Sequence, residues 1–99
     1  MTPQVSVIIP VYNVGKYLEK CLSSVVEQTF TDLEIVVVND GSTDDSPQII
    51  ARFARQDSRI VVIDKSNEGL AYARKSGVEA ARGTYIYHLD GDEIGRAHV

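Results

Sequence analysis

Two short acidic clusters, each closing a hydrophobic run, are the residues of this chain best suited to chemistry. Thr84-Tyr-Ile-Tyr-His-Leu-Asp90-Gly-Asp92 is a strand-like run ending in two carboxylates one residue apart. Glu34-Ile-Val-Val-Val-Asn-Asp40-Gly-Ser-Thr-Asp-Asp45 does the same around Asp40. An oxygen-only pair such as Asp90 and Asp92 suits a hard cation, Mg²⁺ or Mn²⁺. Such ions favour carboxylates plus substrate phosphates over an all-protein cage. In an open α/β sheet, ligands bind beyond the carboxyl ends of the strands, near the topological switch point. The pattern points to a metal–diphosphate ligand.

The elements that must hold these acids alternate along the chain. Val5-Ser-Val-Ile-Ile-Pro-Val11 is almost continuously apolar, as expected of a strand buried on both faces. Pro10 has no N–H for a ladder and belongs near that strand's end. Leu18, Cys21, Leu22, Val25 and Val26 recur at helical spacing and predict a one-sided helix from about Gly15 to Gln28. Ile35 to Val38 form a second buried strand. Thr43 or Ser46 is the expected cap of the next helix, with Pro47 early in it. Ile49, Ile50, Phe53 and Ala54 make its inner face. Ile60 to Ile63 are the third strand. A third helix is expected from Glu68 or Gly69 to Arg82, with Leu70, Ala73, Gly77 and Ala81 towards the sheet and Gly83 as its terminating C′ glycine. Thr84 to Leu89 are the fourth strand. Strands and helices in strict alternation predict an α/β fold, a three-layer open parallel sheet.

Size and charge narrow the classes. Ninety-nine residues, 43% of them hydrophobic, make one small domain. The net charge is −4 with no basic block, which argues against an electrostatic grip on nucleic acid. The single Cys21 excludes an internal disulfide framework and zinc-type spacing, and favours a reducing, cytoplasmic setting. No apolar run approaches the roughly 20 residues that span a bilayer. The first strand lacks a G-x-G-x-x-G turn, and no G-x-x-x-x-G-K-[ST] loop occurs. A receiver domain would need an acidic pair after the first strand, where Pro10-Val-Tyr12-Asn13 stands.

Four motifs in order resemble family 2 glycosyltransferases. They are Val5-Ser-Val-Ile-Ile-Pro-Val-Tyr-Asn13, Val38-Asn-Asp40-Gly-Ser-Thr-Asp44, Asn67-x-Gly69 with Ala73-Arg74, and Leu89-Asp-Gly-Asp92. The likeness runs from about residue 4 to 92. It implies a GT-A fold, of which this chain is the Rossmann-like N-terminal, nucleotide-binding half, with strand order 3-2-1-4. It implies a donor that is a UDP- or GDP-linked sugar, a divalent cofactor (Mn²⁺ or Mg²⁺), and a saccharide or lipid-linked hydroxyl acceptor. Cell-wall or polysaccharide synthesis is the implied setting, with membrane attachment of the parent left open. Carried over by motif, Pro10, Tyr12 and Asn13 form the loop against the base, and Asp40 accepts a hydrogen bond from it. Gly69 and Arg74 belong to the nucleotide-sugar site, Asp90 faces ribose and metal, and Asp92 is the principal metal ligand. An inverting transfer with a carboxylate base is implied, but that base would lie beyond this chain, so the catalytic residue is unknown. Lys75 departs from the family's usual Asn.

Rival readings stand beside these. Asp40-Gly41 taken alone reads as a turn, and Asp44 and Asp45 as first-turn residues complementing a helix dipole. Tyr85, Tyr87, His88 and Cys21 read as structural. Two further functions compete: a nucleotide-binding module without catalysis, and a nucleotidyltransferase. The latter should carry a Gly-rich, Lys/Arg-bearing loop where this chain has Pro10-Val-Tyr-Asn-Val-Gly15. Residues 93–99, Glu-Ile-Gly-Arg-Ala-His-Val, match the translation of a sequencing adapter, AGATCGGAAGAGCACACGTC, preceded by one G. The expectation is therefore a native segment over 1–92 and a non-native tail over 93–99, on a fragment inactive by itself. Source DNA sequenced from an adapter-free library should diverge from this chain after the first base of codon 93. The same seven codons in such a read would establish the tail as native.

Overall fold

Strand β1 (Val5–Val11) is buried along its whole length, because it is hydrogen-bonded on both edges and covered on both faces. The computed structural model describes residues 2–91. In chain order, β1 is followed by α1 (Gly15–Val26), β2 (Leu33–Asp40), α2 (Ser46–Gln56), β3 (Ile60–Lys65), α3 (Leu70–Ala80) and β4 (Tyr85–His88). The sheet order is β3-β2-β1-β4, and every pairing is parallel, as the family likeness implied. Pro10 pairs with Val38 of β2 and lies past Ile8, the last β1 residue paired with β4. Its missing N–H therefore interrupts no bond to β4.

The two-residue period of the strands sorts their side chains into two cores. Val5, Val7, Ile9 and Val11 of β1, with Leu33, Ile35 and Val37 of β2, face α1 and α2 through Leu18, Cys21, Leu22, Val25 and Ile50. Ile8, Val36 and Val38 face the other way, onto Ala73 of α3. Gly77 makes this second contact possible. A methyl group there would come within 2.4 Å of Ile8 Cγ2 and 3.3 Å of Val38 Cγ2, so α3 rests directly on β1 and β2.

Helix boundaries differ from the periodicity in instructive ways. α1 ends at Val26 rather than Gln28. α2 begins at Ser46 with Asp45 as N-cap, and neither Thr43 nor Ser46 caps it; the Ser46 N–H bonds Asp44 Oδ1 instead, at 2.9 Å. α3 ends at Ala80, with Ala81 already extended, so Gly83 is no C′ glycine. Its role is close approach: a Cβ would lie 2.6 Å from the Ser6 backbone nitrogen. Leu70, expected on the sheet side, stands half-exposed at the start of α3.

That close approach belongs to a polar knot at the amino ends of the strands, built on the buried Ser6 and Glu34. Ser6 and Glu34 sit opposite each other on β1 and β2. Ser6 Oγ donates to Glu34 Oε2 at 2.6 Å and accepts the Gly83 N–H at 2.8 Å. Arg82 donates its backbone N–H to Glu34 Oε2 at 2.8 Å and its Nε–H to Oε1 at 3.0 Å. The knot ties the α3–β4 connection to the sheet. Burial pushes the Glu34 carboxyl up, but the Ser6 and Arg82 hydrogen bonds and the Arg82 charge outweigh it, holding it below the ordinary glutamate value. A carboxyl depressed in the folded state stabilises above its unfolded value, and that gain is lost as pH falls through the folded one. Glu34→Gln should therefore cost about 1–2 kcal/mol at pH 7. The difference from the parent chain should shrink as pH falls below the ordinary glutamate value and through the lowered folded-state one, where Glu34 itself becomes neutral. Urea unfolding at several pH values checks this; a cost independent of pH would show that the charge contributes nothing.

Candidate functional site

Four parallel strands bring every β-to-α loop to one rim. β2 and β3 extend from one edge of β1 and β4 lies on the other, so the switch point falls between β1 and β4. The chain after β4 is pressed against the loop after β1. A methyl on Gly91, which is buried, would come within 2.9 Å of Val14 Cγ2 and 3.3 Å of the Pro10 carbonyl oxygen. The Cys21 thiol lies 3.6 Å from the Asp90 carbonyl oxygen. Asp90 and the Pro10–Asn13 loop are thus brought together, and Asp40 opens onto the same rim at the end of β2. Asp92 lies outside the described residues, as do residues 93–99.

Asp40 already has partners within the chain. Its residue is only 2% exposed. Oδ1 accepts the Glu68 N–H at 2.9 Å, while Oδ2 accepts the Gly69 N–H at 3.0 Å and an Asn67 Nδ2–H at 3.3 Å. The Asn67 amide also donates to the Asp40 carbonyl at 3.0 Å, and Lys65 Nζ stands 4.0 Å from Oδ1. The carboxylate that was expected to meet a base holds the β3–α3 turn. Gly69, the N-cap of α3, has φ +103°, with open space where a Cβ would stand; it is required by backbone conformation, not by crowding.

Asn13 is likewise committed to a neighbouring loop. Its Oδ1 accepts the Thr43 N–H at 2.7 Å and the Asp44 N–H at 3.3 Å, and its own N–H donates to Ser42 Oγ at 3.1 Å. These bonds hold it at φ +52°, a conformation Asn tolerates better than most residues. Asp44 completes the tie. Its carboxylate takes the Gly15 N–H at 2.9 Å on one oxygen and the Ser46 N–H on the other, at the first residues of α1 and α2. Desolvation raises the Asp44 carboxyl, yet the bonds from Ser46 and Gly15 leave it below the ordinary aspartate value. Asp44 and Asp45 were expected in the first turn of α2, but that turn holds no acid: both precede the helix, Asp45 as its N-cap residue, and Asp44 serves the starts of two helices through its hydrogen bonds. Tyr12, the residue before Asn13, is left 50% exposed on the rim.

Arg74 of α3 donates from Nη2 to Asp90 Oδ1 at 2.9 Å, both side chains being partly exposed. Its Nε–H is buried without a hydrogen-bond partner among the described residues. Asp90 offers a hard-cation ligand, but no cluster of three or more His, Cys, Asp or Glu side chains with metal-holding geometry occurs among the described residues. A single carboxylate still fits an ion of the Mg²⁺ type, which takes one or two carboxylates and completes its shell with phosphate and water. Sequence reading placed Asn67 in a motif without seeing it as the long-range partner of Asp40, and missed the Asn39 Nδ2–Asp64 Oδ1 bond at 3.1 Å across β2 and β3. Parallel register alone could have paired Asn39 with Asp64.

A four-stranded parallel sheet in the order β3-β2-β1-β4, flanked by helices and with a polar rim at its switch point, defines an α/β unit of GT-A type. The profile of "Glycosyl transferase family 2" matches residues 6–94, and the chain belongs to that family. It is 50% identical over 93 residues to the uncharacterized glycosyltransferase EpsJ of Bacillus subtilis, covering 94% of this chain and 27% of that protein. It is 40% identical to the hyaluronan synthase of Pasteurella multocida over 92% of this chain and 9% of the synthase. Among solved structures, S. aureus TarS with UDP-GlcNAc superposes with TM-score 0.84 at 32% identity, over 90% of this chain and 26% of that one. The mannosyltransferase PcManGT of Pyrobaculum calidifontis, with GDP-Man and Mn²⁺, gives 0.84 at 30% identity, over 93% and 28%. The chain spans about a quarter of the length of EpsJ and of these two structures.

If Asp40 holds the β3–α3 turn, Asp40→Ala leaves the Glu68 and Gly69 amides without their acceptor. Loss of such bonds costs about 1–3 kcal/mol. Hydrogen exchange at Glu68 and Gly69 should accelerate roughly tenfold or more relative to β1 amides. Unchanged exchange at those two positions would show that the turn stands without Asp40.

Proposed function

We propose that the parent protein transfers a sugar from a UDP- or GDP-linked donor to a hydroxyl of a saccharide or lipid-linked acceptor, with inversion, and that this chain supplies the nucleotide side of the donor cleft. The observation that carries the reading is the packing of Asp90–Gly91 against Pro10 and Val14 at the switch point, in a chain of this family. Solved relatives hold UDP-GlcNAc in one case and GDP-Man with Mn²⁺ in the other. The hyaluronan synthase relative supports a polysaccharide product. A cytoplasmic reaction suits a single cysteine, which allows no internal disulfide. No helix among the described residues is long and apolar enough to cross a membrane.

In this reading the exposed Tyr12 ring presents the surface on which the base stacks, while Pro10, buried at the end of β1, supports the loop from beneath. Asn13 fixes the loop that carries Tyr12, and Asp40 with Gly69 fixes the turn at the cleft's other side. Asp40 thus acts on the base through the turn it holds, since its oxygens already serve backbone N–H groups. Asp90, with Asp92, would hold Mn²⁺ or Mg²⁺. Such an ion, when bound, supplies positive charge that stabilises a departing diphosphate. Arg74 adds a second positive group. The base that deprotonates the acceptor is assigned to the remainder of the parent.

Calorimetric titration of the 99-residue chain with UDP and GDP, with and without Mn²⁺, tests this. Weak binding that strengthens with Mn²⁺ and is lost in Asp92→Ala is the expected result, with no sugar transfer by the chain alone. Tight metal-free binding indifferent to Asp92→Ala would overturn the metal–diphosphate assignment.

A further inference from the structure

The Arg74–Asp90 pair carries a consequence for how the site fills. The carboxylate proposed for the cation already has a cationic partner: Arg74 Nη2 lies 2.9 Å from Asp90 Oδ1. A divalent ion on Asp90 would sit within a few ångströms of that guanidinium, and two positive charges at such a distance repel. Arg74 also has bonding capacity left over among the described residues. Arg74 Nε is buried and finds no acceptor among the described residues. A buried donor left in this state is uncommon, and marks either strain or a partner yet to arrive. Guanidinium matches phosphate oxygens as well as it matches a carboxylate, and can take two of them at once.

We propose that Arg74 is an exchange residue. It neutralises Asp90 when no cation is bound there, and transfers its hydrogen bond to the donor's diphosphate when a divalent cation takes Asp90. The inference rests on the reading above and adds an order to it: cation and diphosphate enter as a unit, because each relieves the cost the other creates. A cation alone meets Arg74 as a competitor. A diphosphate alone meets the Asp90 charge. Together they find Arg74 and Asp90 as separate partners. The exposure of the pair keeps its intrinsic strength small, which is what an exchange requires; an exposed ion pair contributes little net stability.

Arg74 therefore acts with opposite signs on two ligands, and a merely structural arginine would not. In the 99-residue chain, Arg74→Gln should bind Mn²⁺ alone about three- to fivefold more tightly, since the competing charge is gone. The same variant should bind UDP or GDP in saturating Mn²⁺ roughly tenfold or more weakly, having lost a charged phosphate donor. Arg74→Lys, which keeps the charge without the planar fork, should leave Mn²⁺ affinity near the parent value and lose only part of the nucleotide affinity. Lys75→Gln, one residue on, exposed and outside the pair, controls for net charge and should change neither. Mn²⁺ bound alone is read from the loss of its free-ion paramagnetic resonance signal, nucleotide binding from calorimetry, and folding from circular dichroism. Equal or weaker Mn²⁺ binding by a folded Arg74→Gln chain overturns the exchange, as does undiminished nucleotide binding. Failure of the parent chain to bind either nucleotide with Mn²⁺ would instead remove the underlying site assignment, and the exchange with it.

Discussion

Asp40 and Asp44, two carboxylates on either side of one tight loop, reach the beginnings of all three helices among the described residues. Asp44 accepts the first N–H of α1 and the first of α2; Asp40 accepts the two N–H groups leading into α3. Helix starts expose N–H groups with no intrahelical partner and carry partial positive charge. None of the three helices has a side-chain bond from its own N-cap residue. The caps come instead from the β2–α2 loop, so the relative placement of the three helices at the rim depends on that loop. A cleft built this way is set before any ligand arrives.

The opposite end of the sheet is closed by different means. There the Ser6–Glu34–Arg82 knot fixes the path from α3 into β4, on the α3 face, with Ser6 and Glu34 buried and Arg82 closing over them from the solvent side. At the rim, carboxylates bind backbone N–H groups and leave Tyr12, Arg74 and Asp90 partly open. At the foot, a carboxylate is matched by hydroxyl, guanidinium and amide until nothing is left to offer. The same residue type is thus a fastening at one end and an invitation at the other. Burial and the count of available donors separate the two cases.

How legible this was depended on range. The number of strands and helices followed from the apolar runs, because a strand buried on both faces announces itself in its own residues, and the strand order from the family resemblance. Element ends were less legible. Gly83 looks like a helix terminator in sequence, but is needed because the chain passes against Ser6, far earlier in the chain. Asp44 reads as a first-turn acid of α2; its bond to Gly15 requires the β1–α1 and β2–α2 loops to meet. Asp40 stands in a motif associated with base binding, and its partners Asn67, Glu68 and Gly69 lie a strand and a helix away.

Sequence by itself determined the alternation of elements, the parallel sheet, the family, and the rim on which its acidic residues fall. Each follows from local period or from residues close together in the chain. The tertiary structure decided which acids remain available. A carboxylate becomes a ligand or a fastening according to the N–H groups that converge on it, and these come from segments that only the packed sheet brings within about 3 Å. Asp40 and Asp90 end similar runs and look alike as text. One is enclosed by a turn and the other faces an arginine at the surface, because β2 lies inside the sheet with α3 across its end, whereas β4 lies at its edge.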